Sequence, residues 1–212
     1  SQAVLSEISD WIRKKTKDVL KVDNLTIEKD WRSYVVNALY FKGIWAKKFD
    51  SKNTKPEDFA GVTGNRKVPM MHNCGKYNYC EYGGFEAIEL PYGNGDYAMT
   101  VIMGKSEDKL SPEVMSGIVS SMKKEYISLG FPKFETETDI SEFPISLVKF
   151  DSFRHVAKIN VDEEGTEAAA VTVIGDGALA PNAPRELIFN QPFYYVITQK
   201  TTGIILFVGY YC

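Results

Sequence analysis

The stretch 163–172 constrains the fold of this chain more than any other. Its sequence is Glu-Glu-Gly-Thr-Glu-Ala-Ala-Ala-Val-Thr, in which a glycine is followed by mostly small and β-branched residues. It follows a strand-like run and precedes a loop, 175–184, rich in glycine, alanine and proline. Gly165 can adopt φ values that other residues avoid, so it can act as a hinge. Alternate side chains from Thr166 onward are small and then apolar, so the segment could enter a crowded sheet without overpacking it. The pattern therefore fits both an exposed loop and a buried strand.

Three motifs resemble one known family. The hinge segment 163–170 resembles the reactive-loop hinge of the serpins, the serine protease inhibitors that insert a cleaved loop into a sheet. Segment 187–197, Leu-Ile-Phe-Asn-Gln-Pro-Phe-Tyr-Tyr-Val-Ile, resembles the serpin C-terminal signature, and segment 37–45, Asn-Ala-Leu-Tyr-Phe-Lys-Gly-Ile-Trp, resembles the central strand of the large sheet. The resemblance implies an α+β serpin fold with a large central β-sheet, two smaller sheets and surface helices.

The resemblance covers nearly the whole chain but only the C-terminal portion of a serpin. We therefore expect residues 1–212 to form a single serpin domain that is incomplete at its N-terminus and lacks the family's N-terminal helices. An N-terminal fragment of the same protein is one expected partner. Phe150 follows Lys149 directly, where the family has a loop and a small helix. Either this loop is deleted or a segment between 149 and 150 is missing, and the second is expected.

Composition narrows the function. The net charge of −3 argues against nucleic acid as a partner, and no apolar run approaches the roughly 18 residues of a membrane span. No leader sequence is visible at the start of the chain. Two histidines and three cysteines without a paired motif argue against a metal site, and we expect no cofactor. Cys74 and Cys80 would lie too far apart to bond if they share one extended strand. A hairpin could bring them together, but free buried thiols are favoured.

Periodicity predicts an amphipathic helix over 6–20, a helix over 110–129 closed by Gly130, and a short helix over 140–149. A turn at 92–96 predicts a hairpin between strands at 85–91 and 97–103. The almost unbroken apolar run within the predicted strand 31–49 is typical of a strand covered on both faces. Further strands are predicted at 131–139, 153–162, 187–190, 193–198 and 204–211.

No arrangement of residues indicates an enzyme. There is no Gly-x-Ser-x-Gly elbow for a serine nucleophile, and two histidines allow few catalytic triads. Glu135 and Glu137 share one strand face, but no cleft is implied between them. We therefore expect a protease inhibitor with no catalytic residues.

The resemblance assigns sheet-opening support to four residues: Asn37, Trp45, Lys133 and His155. It implies that Asn37 pairs with His155, while the residues alone also allow a strand-end amide reaching solvent. It implies that Lys133 pairs with Glu163 at the base of the loop. Two exposed charges worth under ~1 kcal/mol are the alternative.

The resemblance also implies a suicide-substrate mechanism. A target protease would cleave the loop, and the freed segment would insert into the sheet and trap the acyl-enzyme. The family's spacing places the cleaved bond between Leu179 and Ala180, which suits chymotrypsin-like or subtilisin-like targets, or elastase-like ones if the register slips by one residue. Cleavage after Arg185 by a trypsin-like enzyme is an alternative. The hinge residues are Glu163, Gly165, Thr166, Glu167, Ala168, Ala169, Ala170 and Thr172.

Two other functions stay open at this point. A non-inhibitory serpin that carries a ligand or acts as a chaperone is one, and Asp176 on the inserting face departs from the inhibitory pattern. An inhibitor of cysteine proteases that uses the same trap is the other. An extracellular location is expected from the family.

Overall fold

The computed structural model of the chain describes residues 2–20, 34–104, 110–140, 152–166 and 183–212. Two compact units make up the chain: the first unit comprises 1–42 and 134–160, and the second comprises 43–133 and 161–212. The α-helices in the described ranges are α1 (Gln2–Lys15) and α2 (Pro112–Ser121), and a short 3-10 helix spans Ser51–Asn53. The strands there are β1 (Tyr34–Tyr40), β2 (Gly43–Ile44), β3 (Lys55–Gly61), β4 (Gly64–Tyr82), β5 (Phe85–Tyr92), β6 (Tyr97–Gly104), β7 (Lys123–Pro132), β8 (Phe134–Ile140), β9 (Ser152–Val161), β10 (Gly165–Thr166), β11 (Arg185–Ile188), β12 (Phe193–Gln199) and β13 (Ile205–Tyr211).

The first unit packs α1 against a three-stranded sheet with the order β1-β9-β8. The predicted amphipathic helix is confirmed, although it begins earlier than expected and ends at Lys15. It ends because Lys17 and Asp18 adopt left-handed φ angles of 53° and 62°, which a helix cannot continue through. The apolar contacts between helix and sheet come from Ile8, Ile12, Leu20, Val36, Ala38 and Val156.

Strands β1 and β9 pair directly and in parallel, from Tyr34 beside Ser152 to Tyr40 beside Lys158. Helix α1 covers the face of β1 that carries Val36 and Ala38. Asn37 points to the opposite face and is exposed. The expectation that β1 is covered on both faces is therefore not met among the described residues, because the helix that packs there reaches only one face.

The second unit is built on an eight-stranded sheet with the order β11-β7-β4-β5-β6-β12-β13, in which β3 also pairs with β4. Strand β4 is 19 residues long and pairs in turn with β3, β7 and β5 along its length. The predicted hairpin is confirmed as β5 and β6, with Tyr92 opposite Tyr97. The three predicted C-terminal strands are confirmed as β11, β12 and β13. A separate two-stranded pair joins β10 to β2.

The predicted helix over 110–129 is wrong in its second half. Helix α2 begins as expected, with Ser111 as N-cap and proline in the first turn, but it ends at Ser121. Residues 123–132 form β7, which pairs with β4 over ten residues. Alternate side chains of β7 are buried, and long-range pairing therefore overrides the local helix propensity.

The second unit has a core of aromatic side chains between its strands. Phe131, Phe189 and Phe193 lie with ring centroids 5.5 to 5.7 Å apart, and all three are fully buried. The predicted separation of Cys74 and Cys80 on one strand is confirmed, and all three cysteines are free, but only Cys80 is buried. The predicted helix over 140–149 lies, apart from its first residue, outside the described residues, as does the 149–150 junction.

Candidate functional site

A tight reversal of the chain at Asp162–Gly165, here called the hinge turn, connects the end of β9 to β10. Two backbone hydrogen bonds close it: Asp162 N–H donates to Gly165 O at 2.9 Å, and Gly165 N–H donates to Asp162 O at 3.3 Å. The Asp162 carboxylate also accepts hydrogen bonds from the amides of Glu164 at 2.9 Å and Gly165 at 3.2 Å. An aspartate that binds amides two and three residues further on stabilises a turn locally. The hinge turn is thus a two-residue hairpin loop that the Asp162 carboxylate stabilises.

Backbone hydrogen bonds attach the hinge turn to residues 45–49, which follow β2. Trp45 N–H donates to Glu164 O at 2.9 Å, and Phe49 N–H donates to Glu163 O at 2.9 Å. The indole N–H of Trp45 donates to Asp162 O at 2.9 Å. The carbonyl oxygens of three turn residues, Asp162, Glu163 and Glu164, therefore all accept hydrogen bonds from this segment.

Gly165 is required by both its conformation and its surroundings. Its φ of +140° lies in a region that residues with a side chain rarely adopt. A Cβ atom at this position would lie 2.2 Å from Gly43 O and 2.7 Å from Trp45 N, both backbone atoms. Only glycine allows β10 to approach β2 this closely.

The Glu163 carboxylate is 14% exposed and is held by two side chains. Lys133 Nζ donates to it at 2.7 Å, and Thr54 Oγ1 donates at 2.8 Å. Burial would raise the pKa of Glu163, but these hydrogen bonds outweigh burial and lower the pKa below its ordinary value. The structure thus contains the Lys133–Glu163 pair that the resemblance implied, while sequence reasoning missed Thr54.

Glu164 has its own cationic partner, Lys48, which sequence reasoning also missed. Lys48 Nζ contacts the Glu164 carboxylate, and the two side chains are 10% and 30% exposed. The backbone of Lys48 is fixed as well, since its carbonyl accepts a hydrogen bond from Asn73 Nδ2 at 2.8 Å. The residues lie 116 positions apart in the chain, so no local spacing could have indicated the pair.

Trp45 forms the apolar floor beneath the hinge turn. It is 3% exposed and stacks on Tyr92 with ring centroids 4.4 Å apart and planes inclined by 13°. Phe49 meets its ring edge-on at 6.5 Å. Burial of the two rings fixes the indole so that its N–H points at the turn.

The other predicted site residues fall into two groups. In the first unit, Asn37 and His155 are register partners in neighbouring parallel strands, so their side chains lie on the same face, and His155 is half-buried. Their support role stays a prediction. The remaining hinge and reactive-bond residues lie outside the described residues: Glu167, Ala168, Ala169, Ala170, Thr172, Leu179 and Ala180.

Arg185, the alternative cleavage position, is the first residue of β11. Its guanidinium pairs with Glu81 and, at 3.3 Å, with Glu125. It also lies over the Tyr79 ring, 5.1 Å from the centroid. A residue that is paired in a strand and bound to two carboxylates is poorly presented to a protease, which argues against cleavage after it.

Comparison with known proteins decides the family. The profile described as Serpin (serine protease inhibitor) matches residues 1–145 and 136–212. The chain belongs to the serpin family. An uncharacterized serpin-like protein of Methanosarcina acetivorans is 31% identical over 236 residues, which cover 95% of this chain and 56% of that serpin. Antithrombin-III of Mus musculus is 30% identical, with 95% of this chain and 51% of that serpin covered.

Solved serpin structures show the same α+β fold. The thermophilic serpin tengpin in its native state superposes with a TM-score of 0.84 at 20% identity, covering 99% of this chain and 63% of tengpin. Human thyroxine-binding globulin complexed with thyroxine gives 0.83 at 20% identity, also covering 99% and 63%. The chain spans between half and two thirds of the length of these serpins.

Two further searches concern the described residues only. No helix among them is long and apolar enough to cross a membrane. Nor do these residues bring three or more histidine, cysteine, aspartate or glutamate side chains together where they could hold a metal ion. The family's own description is that of serine protease inhibitors.

Proposed function

We propose that this serpin inhibits a serine protease as a suicide substrate. The observation that carries the proposal is the hinge turn, which already reverses the chain after β9 and starts β10 antiparallel to β2. In the first unit, β1 and β9 pair directly, with no strand between them. This combination suits a loop that has not inserted but whose first turn is in place.

The register of β10 supports a specific inserted state. Gly165 lies opposite Ile44 and Thr166 opposite Gly43. The family mechanism places the inserted strand between the two strands that correspond to β1 and β9. Asn37 and His155 are register partners in those strands, and we assign the sheet-opening role to them on that ground. Small side chains at Ala168 and Ala170 would lower the cost of parting the strands.

The chemistry is that of an interrupted acyl transfer. The protease serine hydroxyl attacks the Leu179 carbonyl, the Leu179–Ala180 bond breaks, and Ala180 leaves as a free amine. An ester between Leu179 and the serine remains. Insertion of the freed segment carries the protease away from the loop and distorts its active site, so water hydrolyses the ester slowly. Inhibition requires insertion to be faster than that hydrolysis.

The finer assignments are also proposals. Leucine before the cleaved bond favours a chymotrypsin-like target, with subtilisin-like and elastase-like enzymes as neighbouring choices. An extracellular location is proposed from the family. We also propose that a segment is missing between 149 and 150, where the family has a loop and a small helix. We propose that an N-terminal part of the same protein completes the sheet.

The test is a denaturing gel of the full-length protein mixed with chymotrypsin, with intact masses measured alongside. A covalent band at the summed mass, together with a released peptide that begins at Ala180, is the expected result. Ala170→Arg is the matched hinge variant, since a charged side chain on the inserting face should turn the inhibitor into a substrate. Clean cleavage by serine proteases with no covalent band would refute the proposal. A covalent band with papain alone would favour the cysteine-protease alternative, and no band with either class would favour the carrier.

A further inference from the structure

We infer that Lys48 is a positioning residue that fixes the hinge turn for loop insertion through Glu164. The inference rests on the proposed function and concerns a pair distinct from Lys133–Glu163. Lys48 is nine-tenths buried and Glu164 is 30% exposed. A lysine this buried needs a charged partner, since an unpaired buried charge is costly.

Both ends of the pair are fixed by backbone hydrogen bonds. Asn73 Nδ2 holds the Lys48 carbonyl at 2.8 Å, and the Asn73 oxygen in turn accepts from the Cys74 amide at 2.8 Å. Glu164 is held through its carbonyl by Trp45 N–H and through its amide by Asp162. The ion pair therefore joins two ordered backbones, so its formation costs less side-chain entropy than a surface pair does.

The pair acts on the turn itself, not on the strands that must separate. The two central residues of the hinge turn are Glu163 and Glu164, and each has a separate cation. If the inserting strand extends β10 in its present register, the turn and its contacts with residues 45–49 stay as they are. Lys48 then stabilises the nucleus from which insertion proceeds. Without Lys48 the turn should be formed in only a fraction of the molecules. Because insertion starts from the formed turn, it should slow in proportion, while the paired strands β1 and β9 stay unchanged.

The experiment compares Lys48→Met with the wild-type full-length protein by the moles of inhibitor consumed per mole of chymotrypsin trapped. We expect the insertion rate of Lys48→Met to be roughly tenfold lower, because a hydrogen bond to a charged group is lost. Slower insertion should raise the ratio of inhibitor consumed to protease trapped. Lys48→Arg keeps the charge and should restore the wild-type ratio. Lys200→Met is the matched control, since Lys200 pairs with Glu89 at 2.6 Å elsewhere in the second unit and should not change the ratio.

Two outcomes overturn the inference. An unchanged ratio in Lys48→Met would do so, as would an equal change in Lys200→Met, which would mean a general loss of stability. If the wild type forms no covalent complex, the proposed function fails separately. In that case insertion is monitored in a second way: the loop is cleaved with papain, and the gain in thermal stability is measured over time. Equal rates in wild type and Lys48→Met there would also refute the role of Lys48.

Discussion

The Lys133–Glu163 pair allows a quantitative test of how strongly the hinge turn is held. We expect Glu163→Gln to lower the free energy of unfolding by about 2 kcal/mol, because a carboxylate that is mostly buried loses a charge-assisted hydrogen bond. Lys133→Met should cost about 1.5 kcal/mol, since Lys133 is 37% exposed and its ammonium group is partly hydrated. Thr54 still donates to the amide oxygen in Glu163→Gln, which limits the loss.

The double variant Glu163→Gln/Lys133→Met isolates the coupling between the two side chains. We expect a coupling free energy of about 1–2 kcal/mol, below the full value for a buried charged hydrogen bond because of the exposure of Lys133. The control is the Lys67–Asp58 pair, which has a similar distance of 2.9 Å but is 62% and 74% exposed. Its coupling should stay below about 0.5 kcal/mol.

The control cycle uses Asp58→Asn, Lys67→Met and the double variant. The assay is denaturant unfolding of the full-length protein, monitored by circular dichroism, for the wild type and all six variants. Free energies come from the linear dependence on denaturant, and equal slopes are required for the cycles to be compared. If the two pairs showed equal coupling, partial burial would not strengthen the hinge pair. The reasoning from exposure would then be refuted.

Two further predictions concern the hinge turn, and a third concerns Arg185 at the start of β11. Gly165→Ala should break the β10–β2 pairing and remove hydrogen-exchange protection at the Trp45 amide, whereas Gly64→Ala, with a φ of +130° but open space around it, should leave that protection unchanged. Because the pKa of Glu163 is lower in the folded than in the unfolded state, its stabilising contribution is complete above about pH 4.3 and is lost as the pH falls through the folded value. Acid titration of the wild type should therefore show a steeper loss of stability in this range than Glu163→Gln, and parallel curves would contradict the pKa shift. Arg185→Met should loosen β11, and proteases should then cleave the chain within β11 faster than in the wild type. An unchanged rate of cleavage would mean that pairing with β7 is enough to hold the strand.

Much of the fold could be predicted from local patterns. The turn at 92–96 specified the β5–β6 hairpin because glycine and asparagine favour the required backbone conformation. Ser111 and the following proline specified the start of α2. The end of α2 could not be predicted, because the apolar side chains of residues 123–129 fit both the spacing of a helix and the alternation of a strand. Pairing with β4 decides for the strand. That choice depends on a strand some 50 residues earlier in the chain.

The sequence by itself determined the family and marked Gly165 as a possible hinge, because these depend on residues that are adjacent in the chain. The need for glycine at 165 came from the structure, in which the backbone of Gly43 and Trp45 leaves no room for a Cβ atom. The sequence also indicated the Lys133–Glu163 pair through the resemblance. Only the tertiary structure placed Thr54 and Lys48 on the two glutamates and aimed the Trp45 indole at Asp162. These contacts join positions more than 100 residues apart, and side-chain charge alone does not say which lysine reaches which carboxylate. Burial and backbone hydrogen bonding decide that, and they exist only once the sheet has formed.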